Sequence, residues 1–424
     1  MKKIRTLVIV GLCMLIALPA LFASGSSEES GKQRIEVFTR FSDGATKTYF
    51  DEVAASFMAE NPDIEIVLSS ANNANYKQEI NVRLASNSSP DIYFAWSGVY
   101  AHNFVDGGRA LDLTDYLMAD DGEWYNSFIT NQFETFTFGE RIYGIPLMMD
   151  GKAFYYNQDI FDELGLEVPE NWDEFIAVLD VLKGSGYIPI SLGNIEDWAT
   201  GHYMTTLNQR VVPADTLAAD YALEGDFTAP EYVTALEYLE KLVPYFTPEF
   251  NSVTYDAGIN DFISGKAAIY YEQFNQVQYI MPAEFNWSWF DFPDIEGAAG
   301  DQNALTGSPQ GLMVSSTTKY PEACIKFLKY LTNFENSEKL VAEAQMFSCV
   351  DGAINENSAN EKMSLMAETI KKAPTINPWL DNATDSEVVT TYQASIQAMV
   401  GGAKTAEEVM ADVQAKVAQV KAEM

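Results

Sequence analysis

The chain has 424 residues and a formal net charge of −35. Such an acidic surface excludes nucleic acid and anionic lipid as partners, because binding to phosphates requires basic patches. The two histidines of the sequence, His102 and His202, are too few for a multi-histidine metal centre, so we expect neither a metal nor a cofactor. The length exceeds what one hydrophobic core usually organises and therefore predicts two lobes.

The N-terminus predicts export. A basic start precedes the apolar run 7–21, and small residues follow from Ala23 onward. This order is typical of a cleavable signal peptide, which we place at 1–23, followed by a flexible linker at 24–34. A retained membrane anchor is the alternative interpretation of the apolar run. Because Ser24, and not a cysteine, stands at the cleavage point, we expect a freely soluble periplasmic protein and not a lipoprotein.

The first region after the linker alternates strands and helices. A strand with alternating apolar residues begins at Ile35, and an amphipathic helix follows it and stops at Asn61–Pro62. A strand, a helix and the short strand "PDIYFAWSG" come next. This order predicts right-handed crossovers and a largely parallel sheet. Ligands of such sheets bind beyond the carboxyl ends of the strands, where Arg40–Asp43 and Trp96–Gly98 stand.

A second α/β region begins after an apolar strand that ends at Asp150. Within it, the strand "YIPISLGN" ends at Asn194. The stretch "FISGKAAIYYEQFNQ" predicts a buried strand at 267–271, with the polar residues Glu272 and Gln273 directly after it. The tail of the chain is strongly helical.

Five motifs follow one another along the chain. They are "FMAENPDIEIVLSS", "YKQEINVRLASNSSPDIYFAWSG", "GERIYGIPLMMDGKAFYYNQDIFDELGLEVPENWDEF", "FISGKAAIYYEQFN" and "TGSPQGLMVSSTTKYPEACIKFLKYLT". Each motif alone is weak, but in this order they resemble the extracellular solute-binding proteins of ABC importers, specifically their family-1 sugar-binding group. The resemblance covers nearly all of the chain after the predicted signal peptide.

The resemblance implies an α/β fold, the two-lobe periplasmic-binding-protein fold of type II-like form. Each lobe is expected to hold a mixed, mostly parallel sheet flanked by helices, and the hinge to have multiple crossings. We place lobe 1 at 35–145 and 277–330, and lobe 2 at 146–276 and 331–424. The resemblance further implies a protein that carries out no chemistry and delivers its ligand to the transmembrane subunits of an ABC permease. We expect it to be a monomer.

The chain departs from the family pattern at three places, one of which is the absence of the cysteine that many bacterial members carry at the cleavage point. Gly-Ser-Trp is frequent in the family where this chain has Glu272–Gln273–Phe274, and a Gly-Pro-Asp-Gly-like crossing has become Ser308–Gly311. The departure at Glu272–Gln273–Phe274 predicts an altered sugar contact at the end of that strand.

A pocket for a neutral sugar needs planar rings for the C–H faces, and carboxylates, amides or arginine for the hydroxyls. Such side chains occur at predicted strand ends and loops of both lobes. The candidate ligand-binding residues are Arg40, Phe41, Asp43, Asn75, Trp96, Asp150, Asn194, Trp198, His202, Glu272, Gln273, Phe274, Trp289, Ser308 and Trp379. Structural roles stay open for some of them: Phe41 also fits a core ring, Asn75 an N-cap and His202 a structural histidine. Core packing also fits at least one of Trp287 and Trp289.

We expect a carrier for a mono- or oligosaccharide, whose two lobes close over the ligand by hinge bending. The rival interpretation is a secreted glycoside hydrolase with Asp150 and Glu272 as its carboxylate pair. A carrier for a peptide or another non-sugar solute is the second alternative. A disulfide between Cys324 and Cys349 also stays open, because sequence does not give their separation.

Overall fold

The computed structural model describes residues 32–86 and 88–424. The predicted signal peptide, 1–23, and most of the predicted linker, 24–34, lie outside the described residues. The strands are β1 (Gln33–Thr39), β2 (Ile64–Ser70), β3 (Ile92–Trp96), β4 (Thr137–Phe138), β5 (Arg141–Ile142), β6 (Gly144–Met148), β7 (Lys152–Asn157), β8 (Ile188–Ser191), β9 (Ala267–Gln273), β10 (Trp287–Phe290), β11 (Leu305–Thr306), β12 (Gln310–Val314) and β13 (Ile376–Asn377).

Helices make up most of the remaining ordered backbone. They are α1 (Gly44–Glu60), α2 (Asn73–Ala85), α3 (Val99–Asp106), α4 (Thr114–Asn126), α5 (Gln158–Leu164), α6 (Trp172–Gly184), α7 (Trp198–Val211), α8 (Ala214–Tyr221), α9 (Glu231–Leu242), α10 (Tyr255–Ile263), α11 (Val277–Ile280), α12 (Pro321–Leu331), α13 (Phe334–Ala344), α14 (Glu361–Lys372), α15 (Leu380–Ala383), α16 (Ser386–Val400) and α17 (Ala406–Glu423). Short 3-10 turns cover Thr130–Phe136, Val243–Tyr245, Phe250–Ser252 and Phe274–Gln276. Within 32–86 and 88–424, no helix has the length and apolar character that crossing a membrane would require.

The first sheet has the strand order β2-β1-β3-β12-β6. β1 pairs in parallel with both β2 and β3, whereas β12 is antiparallel to its neighbours β3 and β6. The helix α1 covers this sheet because its apolar side chains recur at helical spacing, with Tyr49, Val53 and Phe57 buried. Each such burial contributes about 1.5–3 kcal/mol. The predicted alternation of strands and helices is thus confirmed here, and we call this sheet with its helices the first lobe.

The second sheet has the order β10-β7-β9-β8. β8 and β9 are parallel, and the β7–β9 and β7–β10 pairs are antiparallel. Apolar side chains cover both faces of β9, so that Tyr270 packs in one core cluster and Tyr271 in the other. All side chains of β9 are therefore buried, as the apolar run in its sequence predicts. We call this sheet with its helices the second lobe.

The chain passes between the sheets more than once. Residues 149–151 join β6 to β7, and residues 291–309 lead from β10 to β12. A further passage at 373–379 leads from α14 to α15, and β13 within it pairs in parallel with β11. A Cβ atom on Gly307 would lie 2.3 Å from the carbonyl oxygen of Asp150. The first two passages are therefore in direct main-chain contact.

Two segments lie elsewhere than the predicted lobe boundaries place them. β10, at Trp287–Phe290, falls within the span 277–330 assigned to lobe 1, yet it pairs with β7 of the second sheet. α13 falls within the span 331–424 assigned to lobe 2, yet Leu340 and Val341 pack in the core of the first lobe. Position along the chain did not reveal these partners, because both depend on contacts with distant segments.

The cysteines of the described residues, Cys324 and Cys349, are free and buried. The disulfide that the sequence left open is therefore not formed. Burial raises the pKa of the Cys324 thiol to about 12. A thiol held neutral in this way behaves as a small apolar side chain and not as a nucleophile.

Candidate ligand-binding cleft

Two adjoining cavities open between the lobes. The tryptophan cavity, about 440 Å³, is lined by Trp96, Trp198 and Trp379 among others. The tyrosine cavity, about 620 Å³, is lined by Tyr255 and Tyr279 among others. Residues of both lobes line both cavities: Arg40, Asn73, Glu196, Trp198, Tyr255 and Gln276. We call the two cavities together the interlobe cleft.

The first lobe supplies Arg40 and Trp96. Arg40 directly follows β1 and Trp96 ends β3, so the parallel pairing of the two strands brings these residues to the same edge of the sheet. The guanidinium of Arg40 lies 5.8 Å from the centre of the Trp96 ring and 4.6 Å from that of Phe41. Its Nη2 donates to Oε1 of Gln310 at 3.0 Å. The arginine is thereby fixed in the wall of the cleft.

The second lobe supplies the first turns of α7. Trp198 begins this helix, and His202 lies one turn later on the same face. The ring of Trp379, which precedes α15, stacks on His202 with 4.9 Å between centres and an interplanar angle of 28°. Trp198 also contacts Tyr255, with 4.8 Å between the ring centres. Several flat rings therefore face the cleft from this side.

A chain of charged groups connects the lobes at the tryptophan cavity. Lys77 of the first lobe lies 2.5 Å from Asp381, which in turn lies 3.8 Å from Nε2 of His202. On the other side of the ring, Nδ1 lies 2.9 Å from the Lys152 ammonium, and Lys152 lies 3.8 Å from Glu272. Because an ammonium can only donate, Nδ1 is the acceptor and the proton of the neutral ring is on Nε2, facing Asp381.

Burial and neighbouring charges shift the pKa values in this chain. Burial opposes the charged form of Asp381, but Lys77 and His202 together outweigh it and hold the pKa of this carboxyl well below its usual range. Burial, reinforced by the Lys152 charge, lowers the pKa of His202 to about 4. Burial also lowers the pKa of Lys152, against the attraction of Glu272. At neutral pH the cleft therefore holds a neutral imidazole beside an ionised aspartate.

Several buried polar atoms at the tryptophan cavity have no hydrogen-bond partner among the described residues. They are Nε of Arg40, Oη of Tyr100, Nε1 of Trp379, Oδ1 of Asp381 and Nε2 of Gln393. Each buried polar group left unpaired costs about 1–3 kcal/mol. Donors and acceptors grouped in this way favour a ligand that carries several hydroxyl groups.

Eight of the candidate residues line the cleft. They are Arg40, Phe41, Asp43, Trp96, Trp198, His202, Gln273 and Trp379. The other candidates line neither cavity. They are Asn75, Asp150, Asn194, Glu272, Phe274, Trp289 and Ser308.

Asp150, Glu272 and Asn194 are engaged by neighbouring backbone and side chains. Asp150 accepts from the backbone N–H groups of Gly151 and Asn275 and from the Gln310 side chain. Glu272 accepts from the Tyr270 hydroxyl at 2.7 Å and from the N–H of Gln273 at 2.7 Å. Asn194 accepts from the N–H of Thr200 and so holds the first turn of α7. These side chains support the walls of the cleft without facing it.

The other candidates outside the cleft are Phe274, Trp289, Ser308 and Asn75. Phe274 is fully buried, and Trp289 packs against it with 6.3 Å between the ring centres. Ser308 bonds the hydroxyl of Ser97. Asn75 is exposed within α2, and its backbone N–H donates to Asn72, which is the actual N-cap.

The cleft is also lined by residues that were not among the candidates. They include Asn72, Asn73, Lys77, Tyr100, Glu196, Asp197, Tyr255, Gln276, Tyr279 and Asp381. For some of them a signal existed: Glu196 and Asp197 precede Trp198, and Asp381 lies two residues after Trp379. Lys77 carries no local signal, because its position is defined by its contact with Asp381, 304 residues away.

Acidification is expected to destabilise the wild type more than a His202→Gln variant. The folded ring, with a pKa of about 4, stays neutral where an unfolded histidine, with a pKa of 6.5, is protonated. The contribution of the neutral His202 ring to the stability of the folded protein is therefore complete above pH 6.5 and is lost as the pH falls towards 4. Urea denaturation at about pH 7.5 and about pH 4.5 should show the wild type losing about 2–3 kcal/mol relative to the variant.

Titrating groups that do not contact His202 cancel in this comparison, whereas its neighbour Asp381, whose pKa His202 helps to lower, contributes to the measured difference. Asp150, whose pKa is raised to about 7 by burial, is present in both proteins and cancels in the difference. The exposed His102 offers a matched control, because His102→Gln removes a histidine without touching a buried ring. An unchanged difference between the wild type and His202→Gln would show that His202 is not held neutral.

Comparison with known proteins agrees with this architecture. Residues 42–337 match the family of bacterial extracellular solute-binding proteins. The multiple sugar-binding protein of Streptococcus mutans is 24% identical over 358 residues, which are 80% of this chain and 80% of that protein. The maltodextrin-binding protein of Bacillus subtilis is 22% identical over 406 residues, 92% of this chain and 91% of that protein.

A solved structure supports the fold. A chitin oligosaccharide binding protein superposes with a TM-score of 0.85 at 22% identity, over 92% of this chain and 99% of that one. The predicted two-lobe fold is thereby confirmed. With the family match covering most of the sequence, this chain belongs to the bacterial extracellular solute-binding proteins, as its motifs indicated.

Proposed function

We propose that the protein is the substrate-binding component of an ABC importer and captures a mono- or oligosaccharide in the interlobe cleft. The observation that carries this proposal is the meeting of flat rings and unpaired polar groups from both lobes at one cavity. Trp96, Trp198 and Trp379 offer surfaces for the C–H faces of a sugar. The unpaired atoms beside them offer partners for its hydroxyls. The names of the two relatives, a multiple sugar-binding protein and a maltodextrin-binding protein, refer to sugars and support the same ligand class.

Binding would favour the closed form of the protein. Cleft residues come from both lobes, so a ligand makes its full set of contacts only when the walls are close together. The closed surface would then be recognised by the transmembrane subunits of the permease. This role requires export to the periplasm, for which the N-terminal sequence supplies the predicted signal, and it needs one copy of the chain.

A hydrolase is less well supported. Asp150 and Glu272, the carboxylates that would act on a glycosidic bond, are buried, bonded to neighbouring groups and absent from the lining of both cavities. A general acid and a nucleophile or base must instead flank the scissile bond. We therefore propose that the sugar is released unchanged.

The test is a thermal-shift screen of mono- and oligosaccharides against peptides. A bound ligand should raise the melting temperature, since binding stabilises the folded state by RT ln(1 + [L]/Kd). Trp198→Ala should lower the affinity for the ligand that responds by at least about tenfold, which corresponds to about 1.4 kcal/mol of binding free energy. Trp289→Ala is the matched control, because Trp289 is also half-buried but lies outside the cleft. A response to peptides alone, or release of reducing sugar, would contradict the proposal.

A further inference from the structure

A separate cavity of about 580 Å³ shares no lining residue with the interlobe cleft. Its walls are formed by the start of β7, by residues 168–170, α7 and β9, by the loop after β10, by residues 302–306 and by the end of α14. Along α7, His202 faces the cleft, whereas Thr206 and Arg210 line this second cavity. The four-residue spacing places them on one helix face, with about 12 Å of helix rise between His202 and Arg210. We call this cavity of about 580 Å³ the arginine cavity.

The arginine cavity holds a buried cation that forms no ion pair among the described residues, although Asp291, Asp294 and Asp301 lie near enough for their charges to act on it. Arg210 is 4% exposed, and its Nη atoms donate to the carbonyl oxygens of Asp301 and Phe292 at 3.2 and 3.3 Å. Its Nε has no hydrogen-bond partner within the described part of the chain, where no carboxylate forms an ion pair with it either. A guanidinium is always protonated in proteins. Burying such a charge is costly unless an anion is supplied.

A second buried cation and a group of hydroxyls line the same cavity. Lys152, 3% exposed, is shared between Glu272 and His202 and adds positive potential. The hydroxyl of Thr206 lies 2.6 Å from that of Tyr271 and 2.6 Å from that of Thr306. These hydroxyls can each donate or accept, so they suit a ligand that carries hydroxyl groups of its own.

The rim restricts the charge of the ligand. Glu170, Asp291 and Asp294 line the cavity with exposed side chains, opposed on the rim by the exposed Lys372. A dianion would be repelled by these carboxylates, whereas a single negative charge at the buried end is compensated by Arg210. The volume is far larger than a halide ion needs.

We propose that the arginine cavity binds a hydroxylated monocarboxylate about the size of a sugar acid, with its carboxylate against Arg210 and its hydroxyls towards Thr206, Tyr271 and Thr306. This site is separate from the cleft and does not depend on the function proposed for it. Arginine is suited to this contact, because its planar fork matches the two oxygens of a carboxylate.

The test is isothermal titration calorimetry of the full chain with sodium D-gluconate, with the neutral polyol D-glucitol as the matched probe. Gluconate should bind saturably and glucitol at least about tenfold more weakly. Arg210→Gln should lower the affinity for gluconate at least about tenfold. Asp291→Asn should raise this affinity by about two- to fivefold, because the substitution removes a repelling charge. This gain cannot arise from a damaged fold. Trp198→Ala, a change in the cleft, should leave gluconate binding unchanged.

Three results would overturn the proposal. The first is the absence of saturable heat from gluconate with both the wild type and Asp291→Asn. The second is equal binding of gluconate and glucitol, which would show that the carboxylate is not recognised. The third is gluconate binding that Trp198→Ala removes and Arg210→Gln preserves, which would place the acid in the cleft.

Discussion

Trp379→Ala is expected to lower the free energy of unfolding by about 3–5 kcal/mol and to abolish measurable saccharide binding. Trp379 is 1% exposed and is among the largest fully buried side chains, so its removal leaves a cavity that its neighbours cannot fill. The same ring stacks on His202 and presents an unpaired Nε1 at the tryptophan cavity. Urea denaturation measures the first effect, and calorimetric titration with the responding saccharide measures the second.

A pair of gentler variants separates binding from folding. Trp379→Phe keeps an aromatic ring but removes the indole N–H, which has no hydrogen-bond partner among the described residues. Trp124→Phe makes the same chemical change in the core of the first lobe, where Nε1 of Trp124 donates to Thr332 at 3.0 Å. We expect both to lower stability and only Trp379→Phe to weaken binding. If both weakened binding equally, Trp379 would act through the fold and not through contact with the ligand.

Gly307→Ala is expected to destabilise the protein by about 3 kcal/mol or more. Its new Cβ would lie 2.3 Å from the carbonyl oxygen of Asp150 and 3.0 Å from the Cα of Gly151. Both obstacles are main chain, so no side-chain rotation relieves the clash. The N–H of Gly307 also donates to the carbonyl of Asn377, which ties a further passage to the same point. Denaturation curves give the loss directly.

Gly184→Ala is the matched control for this substitution. Gly184 ends α6, and an added Cβ there would meet no atom within 4 Å. Alanine at this position should be neutral or stabilising by up to about 1 kcal/mol, because it restricts the unfolded chain. If Gly307→Ala were as stable as Gly184→Ala, the contact between the passages would be loose, contrary to the structure.

Local patterns predicted the elements well where one segment decides its own conformation. The buried strand expected at 267–271 exists, because its apolar run fits a strand covered on both faces. It continues through Glu272 and Gln273, which pair with Ala153 and Lys152 of β7. This longer strand explains why Glu272 is enclosed: the polar residue that seemed to end a strand lies within one.

Contacts between distant segments could not be predicted in the same way. β10 pairs with β7, some 130 residues earlier, but nothing in the sequence near Trp287–Phe290 indicates this partner. The pairing of Lys77 with Asp381 likewise requires α2 and α15 to meet across the cleft. Aromatic candidates were easier to identify, because a tryptophan at a strand end or on a loop is a large apolar side chain at a position where polar residues are usual. Polar partners are common everywhere on an acidic surface, so their type alone does not mark them.

The bonds of Asp150 have a mechanical consequence. Asp150 lies in the passage from β6 to β7. Its carboxylate accepts hydrogen bonds from Asn275, just beyond β9, and from Gln310, at the start of β12. A rotation of one lobe against the other must either break these hydrogen bonds of Asp150 or use them as its hinge. If Asp150 is the hinge, its hydrogen bonds stay intact and the parts of the lobes farthest from it move the most. The entrance of the interlobe cleft can then open widely with little change in the strands next to Asp150.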